Sequence, residues 1–341
     1  MKIPAASGID LASRILGGRV VAASDESFGV KERLIDPAEP AFVPGTYDLR
    51  GEVVDGWETR RHAGPDGDWA VIRLGAPGVL HTVDVDTRFF SGNHPTACRL
   101  DGCVLGLADD ACSSTVEWTS LTEWTALKPD SANILPVADR RRWTHVRLRL
   151  ASDGGVARVR VYGEVLPDPA DFCDVSVEMS GLEQGGRVEW SSDSFYSDAG
   201  ALIRPDRPRC MGDGWETRRR RDVGPDTHDA VLISFAAPTD VRRIEIDTSW
   251  FVFNASREVS VLASRHRPDR NGWATVPFDV PLLARTPLAP DTRHRFAVSV
   301  DDVCALRVQA YPDGGIARIR AIGTPTPAGM AGLRSRWDEA R

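Results

Sequence analysis

Between residues 146 and 161 apolar and charged positions alternate. Val146, Leu148 and Leu150 interleave with Arg147 and Arg149; after Ser152-Asp153-Gly154-Gly155, Ala157, Val159 and Val161 interleave with Arg158 and Arg160. Period two places the apolar side chains on one face of a strand, and the glycine-rich reversal predicts a hairpin whose arginines turn outward into solvent. The pattern returns with Leu306, Val308 and Ala310 before Asp313-Gly314-Gly315, and Ala317, Ile319 and Ala321 after it. Helical patterning is confined to Asp10 to Leu16, stopped by Gly17-Gly18, and to Ala331 to Glu339. Many short strands with few helices predict an all-β protein, each half a sandwich of two antiparallel sheets, a jelly roll.

The returning pattern belongs to an internal duplication. Asp55-Gly56-Trp57-Glu58-Thr59-Arg60-Arg61 recurs unchanged at Asp213-Gly214-Trp215-Glu216-Thr217-Arg218-Arg219. In the same order follow Gly64-Pro65-Asp66 with Gly224-Pro225-Asp226, Asp86-Thr87 with Asp247-Thr248, Phe90 with Phe251 and Asn93 with Asn254. Upstream, Ser24-Asp25 matches Ser192-Asp193. Each copy spans about 150 residues, a domain rather than a solenoid repeat. The expected division is an N-terminal segment 1–17, repeat one 18–165, a linker 166–181 containing Pro167 and Pro169, repeat two 182–325, and a tail 326–341.

Composition narrows the function. The 42 basic and 49 acidic side chains give a net charge of −7, the wrong sign for a nucleic-acid or anionic-membrane binder. No apolar run approaches the roughly 18 residues of a membrane span, and the first residues lack the pattern of a secretory leader, so a cytoplasmic protein is expected. The six cysteines and seven histidines show no zinc spacing and no HExxH pattern. A divalent cation held by mixed Asp, Glu and His ligands stays open, with the metal ligands unknown. No glycine motif for a dinucleotide or phosphate occurs, so no organic cofactor is expected.

The repeated Asp-Gly-Trp-Glu-Thr-Arg-Arg combines a turn, a large anchor, one acid and two guanidinium groups. Together with DLASRILGGRVVAASDESF near the start, DWAVIRLG from Asp68, VDTRFFSGNHP from Val85 and the twin DGG turns, it resembles the allantoicase family over nearly the whole chain. The resemblance implies galactose-binding-like jelly rolls, a homo-oligomer, and hydrolysis of allantoate to ureidoglycolate and urea in purine breakdown. Alternatives are cleavage of ureidoglycolate, which shares the carboxylate and one ureido group, and a jelly roll that binds a ligand without reacting.

Allantoate requires its carboxylate held, the departing urea nitrogen protonated and water activated. Arg60, Arg61, Arg218 and Arg219 are the candidates for the anion, and Asn93 for orientation. Glu58, Asp86, Glu216 and His94 are the candidates for proton transfer, with Asp247, His62 and His228 as further possibilities. Set against these roles, Asp86 and Asp247 can cap turns, Glu58 can pair with Arg60 on the surface, and Asn93 can be a left-handed turn residue. The second copy replaces Gly92, His94 and Pro95 by Phe253, Ala255 and Ser256, so two equivalent sites are not expected and copy one is the richer.

Overall fold

The computed structural model describes residues 8–62, 67–106, 108–173, 175–221, 224–270 and 272–341. The Gly64-Pro65-Asp66 segment of the repeat lies outside them. The chain forms two compact units, one reaching to Leu166 together with Glu339–Arg341, the other Pro167–Asp338.

In unit one the strands that position the site are β1 (Ile9–Asp10), β2 (Arg19–Ala23), β3 (Trp57–Glu58), β4 (Trp69–Asp86), β5 (Ala97–Cys103), β6 (Ala132–Pro136), β7 (Arg142–Leu150), β8 (Gly155–Val156) and β9 (Arg158–Val165). The organiser is β4, 18 residues long. Its first half pairs with β2 and β7, its second with β6 and β9, all antiparallel. One continuous strand therefore serves both layers of the jelly-roll sandwich. The alternation read from sequence is real, but its partner is not the one expected. β7 and β9 each lie against a different half of β4 instead of closing a hairpin on one another. Period two tells which face is apolar and is silent about which neighbour completes the ladder.

Unit two repeats the plan around β10 (Asp229–Asp247), paired with β11 (Arg293–Tyr311) and β12 (Arg318–Pro325). Leu80, Val83, Val85, Val146, Leu148, Val159 and Val161 are fully buried in the first unit. Ile233, Ile244, Ile246, Val261, Leu306, Val308 and Ile319 do the same in the second. Each such side chain contributes about 1.5–3 kcal/mol on burial.

Two expectations need correction. Arg158 is not solvated: it is 1% exposed, donating to Asp55 Oδ2 at 2.7 Å and to the Asp55, Ala157 and Ala38 carbonyls. Arg318 repeats this with Asp206 and the Asp213 carbonyl. Nor is Asp10 to Leu16 a helix. Ile9 and Asp10 extend along β9, because Asp10 Oδ1 accepts from the Val161 amide at 2.9 Å, and only Arg14–Leu16 forms a 3-10 turn, closed by left-handed Gly17. The C-terminal helix α1 runs over Pro327–Glu339, one turn earlier than the pattern indicated, since Thr326 Oγ1 accepts from the Gly329 amide and Pro327 suits a first helical position.

Candidate active site

The two duplicated motifs are one physical object. β3, carrying Trp57 and Glu58, pairs with β8 of the twin-glycine turn, Gly155 opposite Glu58 and Val156 opposite Trp57. Trp57 is fully buried and its indole donates to the Asp25 carbonyl at 2.8 Å, while Asp25 Oδ1 accepts the Arg60 amide at 2.8 Å. Thr59, also buried, accepts the Gly154 amide at 3.1 Å. Gly154 adopts φ 143°, and a Cβ there would stand 2.6 Å from the Asn93 carbonyl. A bare glycine is what lets the 93–95 loop lie against the turn, where the Gly155 amide donates to the Asn93 carbonyl at 2.8 Å.

This packing opens a cleft of about 740 Å³ lined by Glu58, Arg60, Arg61, Asn93 and His94, with Phe28, Thr59, Thr96, Ser152, Asp153 and the glycines Gly92 and Gly154 completing the wall. Five of the nine candidate site residues thus meet in one place. Glu58 Oε1 accepts from Asn93 Nδ2 at 2.6 Å, so its partner is the asparagine, not Arg60. Burial raises the Glu58 pKa above the usual carboxylate value; the Asn93 hydrogen bond and the charge of Arg61 oppose that shift. The guanidinium groups of Arg60 and Arg61 make no ion pair or hydrogen bond among the described residues. His94 Nδ1 is buried and without a hydrogen-bond partner among them. The left-handed residue of the preceding turn is Phe89, φ 70°, and not Asn93.

Asp86 is not brought to the cleft. Its carboxylate is 1% exposed as a residue, accepts the Arg88 amide at 2.8 Å and Arg88 Nε at 2.7 Å, and so both caps the turn and holds an ion pair. Asp247 caps the equivalent turn through the Ser249 amide. His62 pairs with buried Asp68 at 3.1 Å, and His228 meets the Asp226 carbonyl and the Tyr311 ring. Phe28, Ser152 and Asp153 were missed as cleft residues, although Ser152-Asp153 stood in the recognised turn.

Repeat two keeps part of the arrangement. Asn254 Nδ2 donates to Glu216 Oε1, again at 2.6 Å, but also faces Met211 Sδ at 3.1 Å. Arg218 is withdrawn: it stacks on the Phe195 ring at 4.2 Å, where repeat one has Ser27, and lies 3.8 Å from Asp193. Arg219 lines a smaller pocket of about 150 Å³ with Asn254, which Glu216 and Arg218 do not reach. Arg220, at the position of His62, is locked to Asp229 at 2.5 Å.

Among the described residues no group of three or more His, Cys, Asp or Glu side chains is placed to hold a metal ion, and no helix is long and apolar enough to cross a membrane. A family model described as the allantoicase repeat matches residues 9–166 and again 177–326. A probable allantoicase of Nocardia farcinica is 46% identical over 92% of this chain and 93% of its own. One of Streptomyces coelicolor is 41% identical over 99% and 91%. Among solved structures, allantoicase from Saccharomyces cerevisiae superposes with a TM-score of 0.77 at 28% identity, covering 94% of both chains.

Proposed function

The chain belongs to the allantoicase family, an enzyme hydrolysing allantoate to ureidoglycolate and urea, and from that premise we propose that the cleft of repeat one is its active site. The observation that carries this assignment is the meeting of two unpaired guanidinium groups, Arg60 and Arg61, with a half-buried acid in a single cleft.

Two planar forks suit the carboxylate of allantoate, and neither is held in an ion pair or hydrogen bond among the described residues. The chemistry then occurs at the neighbouring carbon. Water forms a new C–O bond there as the C–N bond to one ureido group breaks, its electron pair leaving with the nitrogen. Glu58, kept protonated to a higher pH by burial, gives its proton to that nitrogen and releases neutral urea. His94, whose side chain lines the cleft, takes the proton from the attacking water. Asn93 holds Glu58 in place, a positioning role in addition to the substrate contact expected from sequence. The chain works as a cytoplasmic homo-oligomer on this reading, which light scattering and cell fractionation check.

The test is urea release from allantoate by the purified chain, with and without added divalent cations. Wild type is expected to release urea and Glu58→Gln to lose at least about a hundredfold in turnover while folding normally. Equal turnover by Glu58→Gln would remove the acid from Glu58.

A further inference from the structure

Several arginines of unit two find acids, among them Arg209 with Asp213, Arg220 with Asp229, Arg285 with Glu258, Arg293 with Glu245 and Arg318 with Asp206. Arg219 and Arg257 do not, among the described residues, and both line the same pocket of about 150 Å³ beside Asn254 and Phe253. Asp313, also in its wall, is engaged by the Arg220 amide at 2.9 Å. Two guanidinium groups without an ion pair thus line one small concavity, an arrangement that suits a small carboxylate anion.

Comparison of the repeats shows what has been exchanged. Where repeat one has Gly92, His94 and Thr96, repeat two has Phe253, Ala255 and Arg257. The loop has lost its imidazole and gained a guanidinium and a phenyl ring, 94% exposed. The counterparts of Glu58 and His94 are both missing from the pocket, Glu216 lying outside it and Ala255 standing where repeat one has the imidazole. We propose that repeat two holds a non-catalytic site for a small carboxylate anion between Arg219 and Arg257, its ligand class being the hydroxy-acid type produced in repeat one. Only that last identification rests on the proposed function.

Glycolate serves as the probe, its binding to the full chain followed by NMR line broadening. Arg60→Glu silences the first cleft, so saturable binding that survives in this variant reports the second pocket. Adding Arg257→Glu is expected to weaken that residual binding at least about tenfold, and Arg257→Lys to restore most of it. Loss of all saturable binding in Arg60→Glu alone, or no change on adding Arg257→Glu, would overturn the proposal. Arg257→Glu by itself is expected to melt like wild type and to keep urea release within about twofold, because an exposed arginine without an ion pair contributes little to stability. A turnover defect as large as that of Arg60→Glu overturns the non-catalytic assignment. If instead Arg60→Glu still turns over allantoate, the active-site assignment in repeat one fails, and the glycolate comparison still decides the second pocket.

Discussion

Glu58 and Asp84 show how a carboxylate's neighbours set its use. Glu58 is raised by burial and then held by an amide donor, so as an acid it is competent below its folded pKa and is lost above it. Turnover is therefore expected to decline on the alkaline side, and Asn93→Ala, by removing the donor that favours the ionised form, to move that decline to higher pH; a pH profile of urea release in both proteins measures it. Asp84 is half-buried beside Asp86, and desolvation first and the neighbouring charge second push its pKa from 3.8 up to about 6. A raised folded value means stability that is complete below the ordinary pKa and lost as pH rises toward about 6. Asp84→Asn escapes that loss, so it is expected to melt above wild type at neutral pH, by the equivalent of about 1–3 kcal/mol, and to lose this advantage in acid. Calorimetry at both pH values decides.

At the level of elements, the site is a strand, a turn and a loop held in register by glycines. Gly154→Ala forces a Cβ against the Asn93 carbonyl at an unfavourable φ, and is expected to destabilise by about 1–3 kcal/mol and to lower turnover by displacing Asn93 and His94. Trp57→Ala should cost about 3–5 kcal/mol, whereas Arg60→Lys should keep its melting temperature and lose turnover, separating scaffold from chemistry within one heptapeptide. How much of this was legible follows from what each signal encodes. Alternation exposed the strands, and identity between copies exposed Glu58, Arg60, Arg61 and Asn93. The pairing of Trp57-Glu58 with Gly155-Val156 joins segments almost a hundred residues apart, which no local pattern carries. Arg158 misled because a strand position facing a loop-covered acid, Asp55, has the same spacing as one facing water. Asp86 looked like a catalytic acid until the ion pair with Arg88, two residues on, accounted for it.

Across the whole molecule, duplication has produced two copies of one scaffold with unequal chemistry. The Glu–Asn pair is present twice, but Ser27 against Phe195 leaves Arg60 free and Arg218 stacked, and His94 has become Ala255. Glu58→Gln is accordingly expected to be far more damaging to urea release than Glu216→Gln; equal losses would mean that both repeats react. That asymmetry was partly readable, since the divergence of 92–95 from 253–256 is in the sequence, while the capture of Arg218 by Phe195 is a matter of three-dimensional neighbourhood. The long strand Trp69–Asp86 has a further bearing on how the protein comes to exist. Its second half is completed only by Arg158–Val165, and Ile9–Asp10 in turn by Tyr162–Gly163, so the earliest residues of repeat one wait for its last ones. Such high contact order places folding in the slow regime of β proteins, on the order of milliseconds to seconds. On the ribosome, the second half of that strand cannot gain its Arg158–Val165 neighbour until Val165 has cleared the exit tunnel.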